Sequence, residues 1–462
     1  MTNALLVDFG STFTKVTYVD FKTETMLSAQ SYSTVDSDIK IGYQKALELL
    51  KEKANKPLSF DKIIACSSAA GGLKMAAIGL VPELTVEAAK RTCMGAGAKV
   101  DLVFSHKLIK ADINTIKEKD IDIILLSGGT DGGHRESVMH NAKMLYESDI
   151  DIPIIYAGNR DLQDEIKTLF SSKSEMLYIC DNVMKKINQL SFDSAKQVIR
   201  EVFLKRIVMA KGIKSIESEI DEIISPTPES VLNAATLLSL GTDEEAGLGE
   251  LLLVDIGGAT TDIYSMAYGT PKRVEIVMKG LEEPYSKRTV EGDFGMRYSA
   301  IGVVDSISEK ERNKYLKENI DLVHEAHKRH DNPDYLPVSH KDEMIDFILA
   351  KQAVKESVKR HVGHIEPYYT SMGMMYYQTG KNLHDVNLVI GTGGVIINSE
   401  NKWQILEETL SKSELDLRPK TPKFAIDKDY ILSAMGLLAT IDKNLALRLM
   451  KKHIKMRDEN DT

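Results

Sequence analysis

The chain of 462 residues carries a net charge of −9 with 43% hydrophobic and 27% charged residues, the balance of an ordinary globular protein too long for one small core. Its acidic residues are spread along the sequence and no basic stripe gathers, which argues against a nucleic-acid partner. No apolar run reaches the roughly eighteen residues of a membrane span, no basic region precedes an apolar one at the N-terminus, and Cys66, Cys93 and Cys180 are too scattered for a disulfide framework or a zinc site, so a cytoplasmic protein is expected.

The chain opens on Ala4-Leu5-Leu6-Val7-Asp8-Phe9-Gly10-Ser11-Thr12-Phe13-Thr14-Lys15-Val16, an apolar strand ending on Asp, a glycine turn with hydroxyls, and a departing strand. Residues 4–8, 14–20 and 26–32 are expected to form an antiparallel meander. An amphipathic helix over 39–53 follows, with Ile39, Tyr43, Ala46, Leu47 and Leu50 on one stripe. A strand over 61–66 leads into the small-residue loop Ser67 to Gly72, which suits either a ligand approach or a tightly packed turn. From about 96 to 210, strands (100–104, 121–127, 153–157, 176–180) alternate with helices (134–148, 160–170, 194–209), the pattern of parallel βαβ units. Within this block Ser127-Gly128-Gly129-Thr130-Asp131-Gly132-Gly133 lacks the Lys of a P-loop and the spacing of a dinucleotide loop, and Asp131 would repel phosphate. A partner or cofactor contact, or plain turn geometry, is expected there. Residues 212–240 read as charged and helical, broken at Ser225-Pro226-Thr227-Pro228, and Gly241 to Gly249 as a polar linker.

The opening design then returns: Leu251-Leu252-Leu253-Val254-Asp255-Ile256-Gly257-Gly258-Ala259-Thr260-Thr261-Asp262 is again strand, Asp, glycines, hydroxyls, strand. Such a turn aims backbone N–H groups and short hydroxyls beside a carboxylate, which suits phosphate and its accompanying Mg²⁺. Residues 273–279 are expected to continue that sheet. The polar stretch 305–331 reads as helical, and His324, His327 and His330 on it are preferred as part of a solvated face over a metal site. A helix over 341–364 would point Met344, Phe347, Ile348 and Val354 inward, with His361 and His364 capping its end. Met372 to Met375 reads as core filler. Val386-Asn387-Leu388-Val389-Ile390-Gly391-Thr392-Gly393-Gly394 is a strand running into bare backbone against which a flat nucleoside can lie. An amphipathic helix over 429–450 and a charged tail from Lys451 close the chain.

Two phosphate hairpins far apart, then a nucleoside turn, describe a nucleotide held between similar halves. That order resembles the actin/hexokinase/Hsp70 ATPase superfamily. The loops at Ser67 to Leu73 and Ser127 to Gly133, with Arg288-Thr289-Val290-Glu291-Gly292-Asp293-Phe294-Gly295-Met296-Arg297, further resemble the glutamate mutase L family, accessory proteins of adenosylcobalamin-dependent mutases and aminomutases. The resemblance implies an α/β protein with the actin-like ATPase fold: two ribonuclease-H-like lobes over 1–95 and 246–450, an inserted α/β domain over 96–245, and a tail over 451–462. It implies ATP and Mg²⁺ as ligands and such a mutase as protein partner.

On that fold Asp8 and Asp255 would face the triphosphate and favour a hydrated Mg²⁺. One of them, or Glu291, could orient the attacking water. Gly10, Ser11, Thr12, Thr14, Gly257, Gly258, Thr260 and Thr261 would line the phosphates, and Gly391, Gly393 and Gly394 the nucleoside. Lys15 either reaches a phosphate or faces solvent. Asp262 either serves Mg²⁺ or holds its own hairpin. The expected function is an ATP-binding and hydrolysing accessory protein whose nucleotide-driven closure acts on the mutase to exchange damaged cobalamin. A small-molecule kinase of the same superfamily is the alternative, for which no second-substrate pocket can be located. Three dispersed cysteines disfavour an iron–sulfur activator.

Overall fold

The structure, a computed structural model, describes residues 1–10, 13–32, 38–55, 57–68, 73–210, 219–371 and 373–458, with the side chains of 206–210 outside that description. Ser11, Thr12, the loop interior 69–72, residues 212–218 and Met372 therefore lie outside the described residues. The chain divides into two units, Met1–Ser230 with Gly280–Glu282, and Val231–Lys279 with Glu283–Thr462.

Each unit holds a sheet of the same plan. In the first, Asn3–Phe9, Phe13–Asp20 and Thr25–Tyr32 form an antiparallel meander, and Ile63–Ser67 then Glu222–Pro226 extend it in parallel from Asn3–Phe9. In the second, Leu251–Ile256, Thr261–Met266 and Ser286–Glu291 form the meander, and Leu388–Thr392 then Lys423–Ile426 extend it in parallel from Leu251–Ile256. Three antiparallel strands followed by two parallel to the first make a ribonuclease-H-like sheet, so the chain is an α/β protein built on the duplicated plan of the actin-like ATPase fold. Lys455–Met456 adds a short edge strand to the second sheet, where a free tail was expected.

The reason for these sheets is plain in their first strands. Asn3–Phe9 is buried along its whole length, as a central strand covered on both faces should be. Leu5, Val7 and Phe9 point to the core shared with Ile39, Tyr43, Ala46 and Leu50 of the helix Ile39–Ala54, whose N-terminus Asp38 caps through Lys40 N.

The first unit also contains the parallel sheet, in the order Lys99–Phe104, Lys74–Ile78, Ile123–Leu126, Ile154–Tyr156, Leu177–Ile179. Lys74–Ile78 sits on the N-terminal side of the 95/96 boundary expected from sequence, yet it is an interior strand here. Its Ala-Ala and Met content hides it, because small and flexible side chains give little strand signal. The helices Glu87–Gly95 and Lys110–Glu118 are likewise additions to the sequence reading.

Several expectations are corrected. Glu222–Pro226 is a strand rather than helix, since it finds an open parallel edge beside Ile63–Ser67; the helix starts at Thr227 and runs to Leu240. Ile276–Met278 leaves the main sheet and pairs with Gly373–Thr379 in a separate three-stranded sheet with His364–Thr370. Met374, expected in the core, is half exposed on that hairpin, and Met344 is also exposed on its helix, His340–His361. The last helical stretch is two helices, Leu432–Leu438 and Lys443–His453, divided where Asp442 caps the second. Among the described residues no helix is long and apolar enough to cross a membrane.

Candidate nucleotide site

The first hairpin closes with Gly10 N–H donating to Phe13 O at 3.1 Å; a Cβ at Gly10 would stand 2.6 Å from that oxygen, so the turn requires glycine. Asp8 pairs across the hairpin with Lys15 and alongside with Cys66. It is 3% exposed, with Lys15 Nζ 3.7 Å from one oxygen and the Thr227 hydroxyl donating to the other at 2.7 Å. Lys15 therefore faces Asp8 across the hairpin. Thr227, first residue of the helix Thr227–Leu240, was read only as part of a helix break; nothing in its local spacing announces that a carboxylate 219 positions away accepts its hydrogen bond. The Cys66 thiol is pushed well up by burial and then by the Asp8 charge, so it stays protonated beside that carboxylate.

The second hairpin repeats this geometry at the described positions. Gly257 N–H donates to Thr260 O at 2.8 Å, Asp255 pairs with Asp262 as Asp8 does with Lys15, and Ile256 pairs with Thr261 as Phe9 does with Thr14. Thr14 and Thr261 thus share the face of Phe9 and Ile256, opposite Asp8 and Asp255. Both are fully buried, and both hydroxyls are without a hydrogen-bond partner. Asp255, in contrast to Asp8, is half-buried.

Asp262 is already engaged. Arg288 Nε donates to its Oδ1 at 2.8 Å with Nη2 at 2.6 Å from the same oxygen, and the Thr260 hydroxyl donates to Oδ2 at 3.0 Å. Both partners of the ion pair are nearly buried. Of the two roles open to Asp262, this geometry matches the holding of its own hairpin. Burial works to lower the Arg288 pKa, but Asp262 raises it overall and keeps the guanidinium charged. Glu291 pairs in register with Thr261 and receives Arg360 Nη1 at 2.6 Å; the same nitrogen lies 3.1 Å from Asp293, and the guanidinium lies over Phe294.

The segment after Glu291 clasps the hairpin loop. Met296 N–H and Arg297 N–H donate to Gly257 O and Gly258 O at 3.0 and 2.8 Å, and the Ser299 hydroxyl donates to Ala259 O at 2.7 Å. A Cβ on Gly295 would stand 2.5 Å from the Ala259 carbonyl carbon. The glycine turn lies against the same hairpin: Gly393 has φ +97°, and a Cβ there would sit 2.2 Å from Ile256 O. Gly391 is buried in its strand, where Leu406 and Ile396 leave no room for a side chain, and Gly394 opens the short helix Gly394–Asn398. Thr392 is the register neighbour of Asp255. The Tyr430 phenol is pushed up to about 12 by burial and then by the charges of Asp255 and Asp427, so it stays neutral. Arg288, Arg360, Thr227, Thr392 and Tyr430 are the site residues that sequence reasoning missed. For Arg288 the signal existed, an Arg inside the quoted motif, but its partner did not show.

The remaining sequence candidates do not gather here. The Ser127 to Gly133 loop is tied to its own neighbours: Ser127 Oγ donates to Ile78 O, Asn182 Nδ2 to Gly129 O and Asp131 Oδ1, and Asn159 Nδ2 to Gly133 O. That is turn geometry. Among the described residues no cluster of His, Cys, Asp and Glu suits a metal ion, and His330 is bonded to Tyr298 O. His361 does not cap its helix: it is fully buried, with Ser265 Oγ and Thr289 Oγ1 each 2.8 Å from a ring nitrogen. Burial and then Lys287 and Lys381 hold its pKa well below the ordinary value.

Comparison with known proteins gives two kinds of likeness. The family described as MutL protein matches residues 4–454. Protein MutL of Clostridium tetanomorphum is 48% identical over 455 residues, covering 97% of this chain and 98% of its own length. Among solved structures, the activator of the 2-hydroxyisocaproyl-CoA dehydratase from Clostridium difficile with bound ADPNP is 10% identical and covers 97% of each chain at a TM-score of 0.34. Gluconate kinase from Lactobacillus acidophilus is 11% identical and covers 99% of this chain and 92% of its own at a TM-score of 0.37. With TM-scores of that size the structural likenesses add nothing to the topology described above.

Proposed function

The chain belongs to the MutL protein family, the glutamate mutase L family, and from that premise we propose that it is a magnesium-dependent ATPase serving as accessory to an adenosylcobalamin-dependent mutase or aminomutase. The observation that carries the nucleotide part is the duplicated hairpin: register, turn hydrogen bond and acidic strand end recur at Asp8 and Asp255. Turn geometry accounts for each set of glycines, but it does not account for a carboxylate at both strand ends.

In this reading the first hairpin brings Gly10, Ser11, Thr12 and Lys15 to nucleotide phosphate, the second brings Gly257, Gly258 and Thr260, and Gly391, Gly393 and Gly394 form the nucleoside turn. Each hairpin offers a carboxylate of the kind that suits a hard, hydrated cation: Asp255, half-buried, in the second, and Asp8, beside Lys15, Cys66 and the Thr227 hydroxyl, in the first. Asp262 stays with Arg288. Bound Mg²⁺ would neutralise phosphate charge there. The protein's own part is to fix the phosphates by backbone N–H groups and to orient the attacking water, a task assigned to Asp8, Asp255 or Glu291, the last held by Arg360. The buried hydroxyls of Thr14 and Thr261 lie on the hairpin face opposite the two carboxylates.

The block from 96 to 245, with the strand Lys74–Ile78 that completes its sheet, is proposed as the part that meets the mutase, and the cytoplasm as the place where it does so. ATP turnover would drive release of damaged cobalamin from the partner. The test is recovery of activity by a mutase inactivated with hydroxocobalamin: recovery is expected with this protein plus MgATP, and no recovery with either alone. Steady ATP turnover in the absence of any small-molecule acceptor is expected as well; turnover only on adding a sugar or acid would favour a kinase.

A further inference from the structure

Tyr430 has φ +53°, the left-handed region that bulky side chains avoid. The other non-glycine residues with positive φ among those described are Asn, Asp, His or Glu. Local preference does not put a tyrosine there; the surrounding turn does. Asp427 fixes that turn at both ends. Its N–H donates to Gly391 O at 2.9 Å, and its carboxylate accepts Ile431 N at 2.9 Å and Leu432 N at 3.2 Å. The turn carrying Tyr430 therefore hangs from the strand that carries the glycine turn.

The side chain returns over that same glycine turn. Its hydroxyl stands 3.5 Å from the Cβ position of Gly394 and is hydrogen-bonded by Asn398 at the end of the short helix, within reach of the Asp255 charge. Strain of this kind persists where surrounding structure over-determines it, and it clusters at ligand sites. We propose that Tyr430 is a nucleotide-contacting residue: its ring walls the turn Gly391 to Gly394 and its hydroxyl donates to a ribose or phosphate oxygen of the nucleotide lying there. The proposal rests on the nucleotide reading given above and adds to it a specific donor.

The experiment is calorimetric titration of the full chain with MgADP, alongside melting of the ligand-free protein. Tyr430→Phe keeps the ring and removes the donor, and it is expected to weaken MgADP by about five- to tenfold, the range of one hydrogen bond, with melting lowered slightly by loss of the Asn398 bond. Tyr430→Gly suits the left-handed backbone and removes the ring too, and a larger loss is expected. Unchanged affinity in Tyr430→Phe overturns the hydroxyl's role, and equal losses in the two variants overturn the ring's. If the wild-type chain itself takes up no MgADP, the nucleotide reading fails, an outcome distinct from either.

Discussion

At the first hairpin Asp8 faces Lys15 and a threonine hydroxyl and is almost wholly buried; at the second, Asp255 faces another carboxylate and is half-buried. Register and turn hydrogen bond correspond at the described positions, so the difference lies in charge. In the first, the cross-strand partner itself neutralises the acid. In the second, the cross-strand partner is acidic, and Arg288 from the neighbouring strand Ser286–Glu291 neutralises that partner. The two hairpins share the turn hydrogen bond and the cross-strand register, while the residue opposite the carboxylate, Lys15 in one and Asp262 in the other, gives each acid a different charge environment.

The largest expected effect falls on that division. Asp255→Ala should lower ATP turnover on the order of 10²–10³-fold, as removal of one preorganised charge-stabilising group does, with melting close to wild type. Asp8→Ala should lower turnover and also stability by about 1–3 kcal/mol, because it strands the part-buried Thr227 hydroxyl and the lysine beside it. Equal melting of the two variants would erase the contrast; wild-type turnover in both would remove the hairpins from the chemistry.

Next in size is the ion pair that distinguishes the second hairpin. Arg288→Met leaves the Asp262 carboxylate buried without its cation and should cost about 3–5 kcal/mol in urea unfolding, most of it regained when Asp262→Leu is added. A loss confined to activity would show Asp262 to be a ligand residue and not a brace.

The second hairpin's return strand also rests on His361 through Ser265. His361 is neutral in the folded protein because its pKa is depressed, while in the unfolded chain it titrates near its ordinary value of about 6.5. The unfolded state therefore binds the extra proton first, and stability present above about pH 6.5 is lost as pH falls below it, by up to about 1.4 kcal/mol per pH unit from this residue. Urea midpoints at pH 7.5, 6.0 and 5.0 should show that slope, reduced in His361→Gln.

The smallest effect tests what the hairpins share. Thr14→Val and Thr261→Val each replace a buried hydroxyl that has no partner, and each should raise stability by about 1 kcal/mol. A gain at one hairpin and a loss at the other would show that the equivalence is only one of backbone.

Where the sequence reading succeeded and failed follows a physical pattern. The meander Asn3–Phe9, Phe13–Asp20 and Thr25–Tyr32, the helix Ile39–Ala54 and the two strand–Asp–Gly hairpins were legible, because each is marked within a dozen residues by apolar runs, alternation and glycine punctuation. Ser286–Glu291, the third strand of the second meander, was not. Lys74–Ile78 was missed because its small and flexible side chains give little strand signal, and Glu222–Pro226 because its strand character comes from the sheet edge it joins. His361 was assigned to a helix end by its position in the chain, and the fold instead turned it into a pocket of hydroxyls and lysines.

The sequence by itself determined the repeated strand–Asp–Gly hairpin, the glycine turn that comes after both, and the kinship of the chain, since these are written in short contiguous patterns. Tertiary structure alone decided which carboxylate is buried against Lys15 and Thr227, which is matched by Arg288, and which remains half open beside Tyr430. Those outcomes depend on side chains brought together from distant positions, where burial and the charge of a neighbour set each group's chemistry.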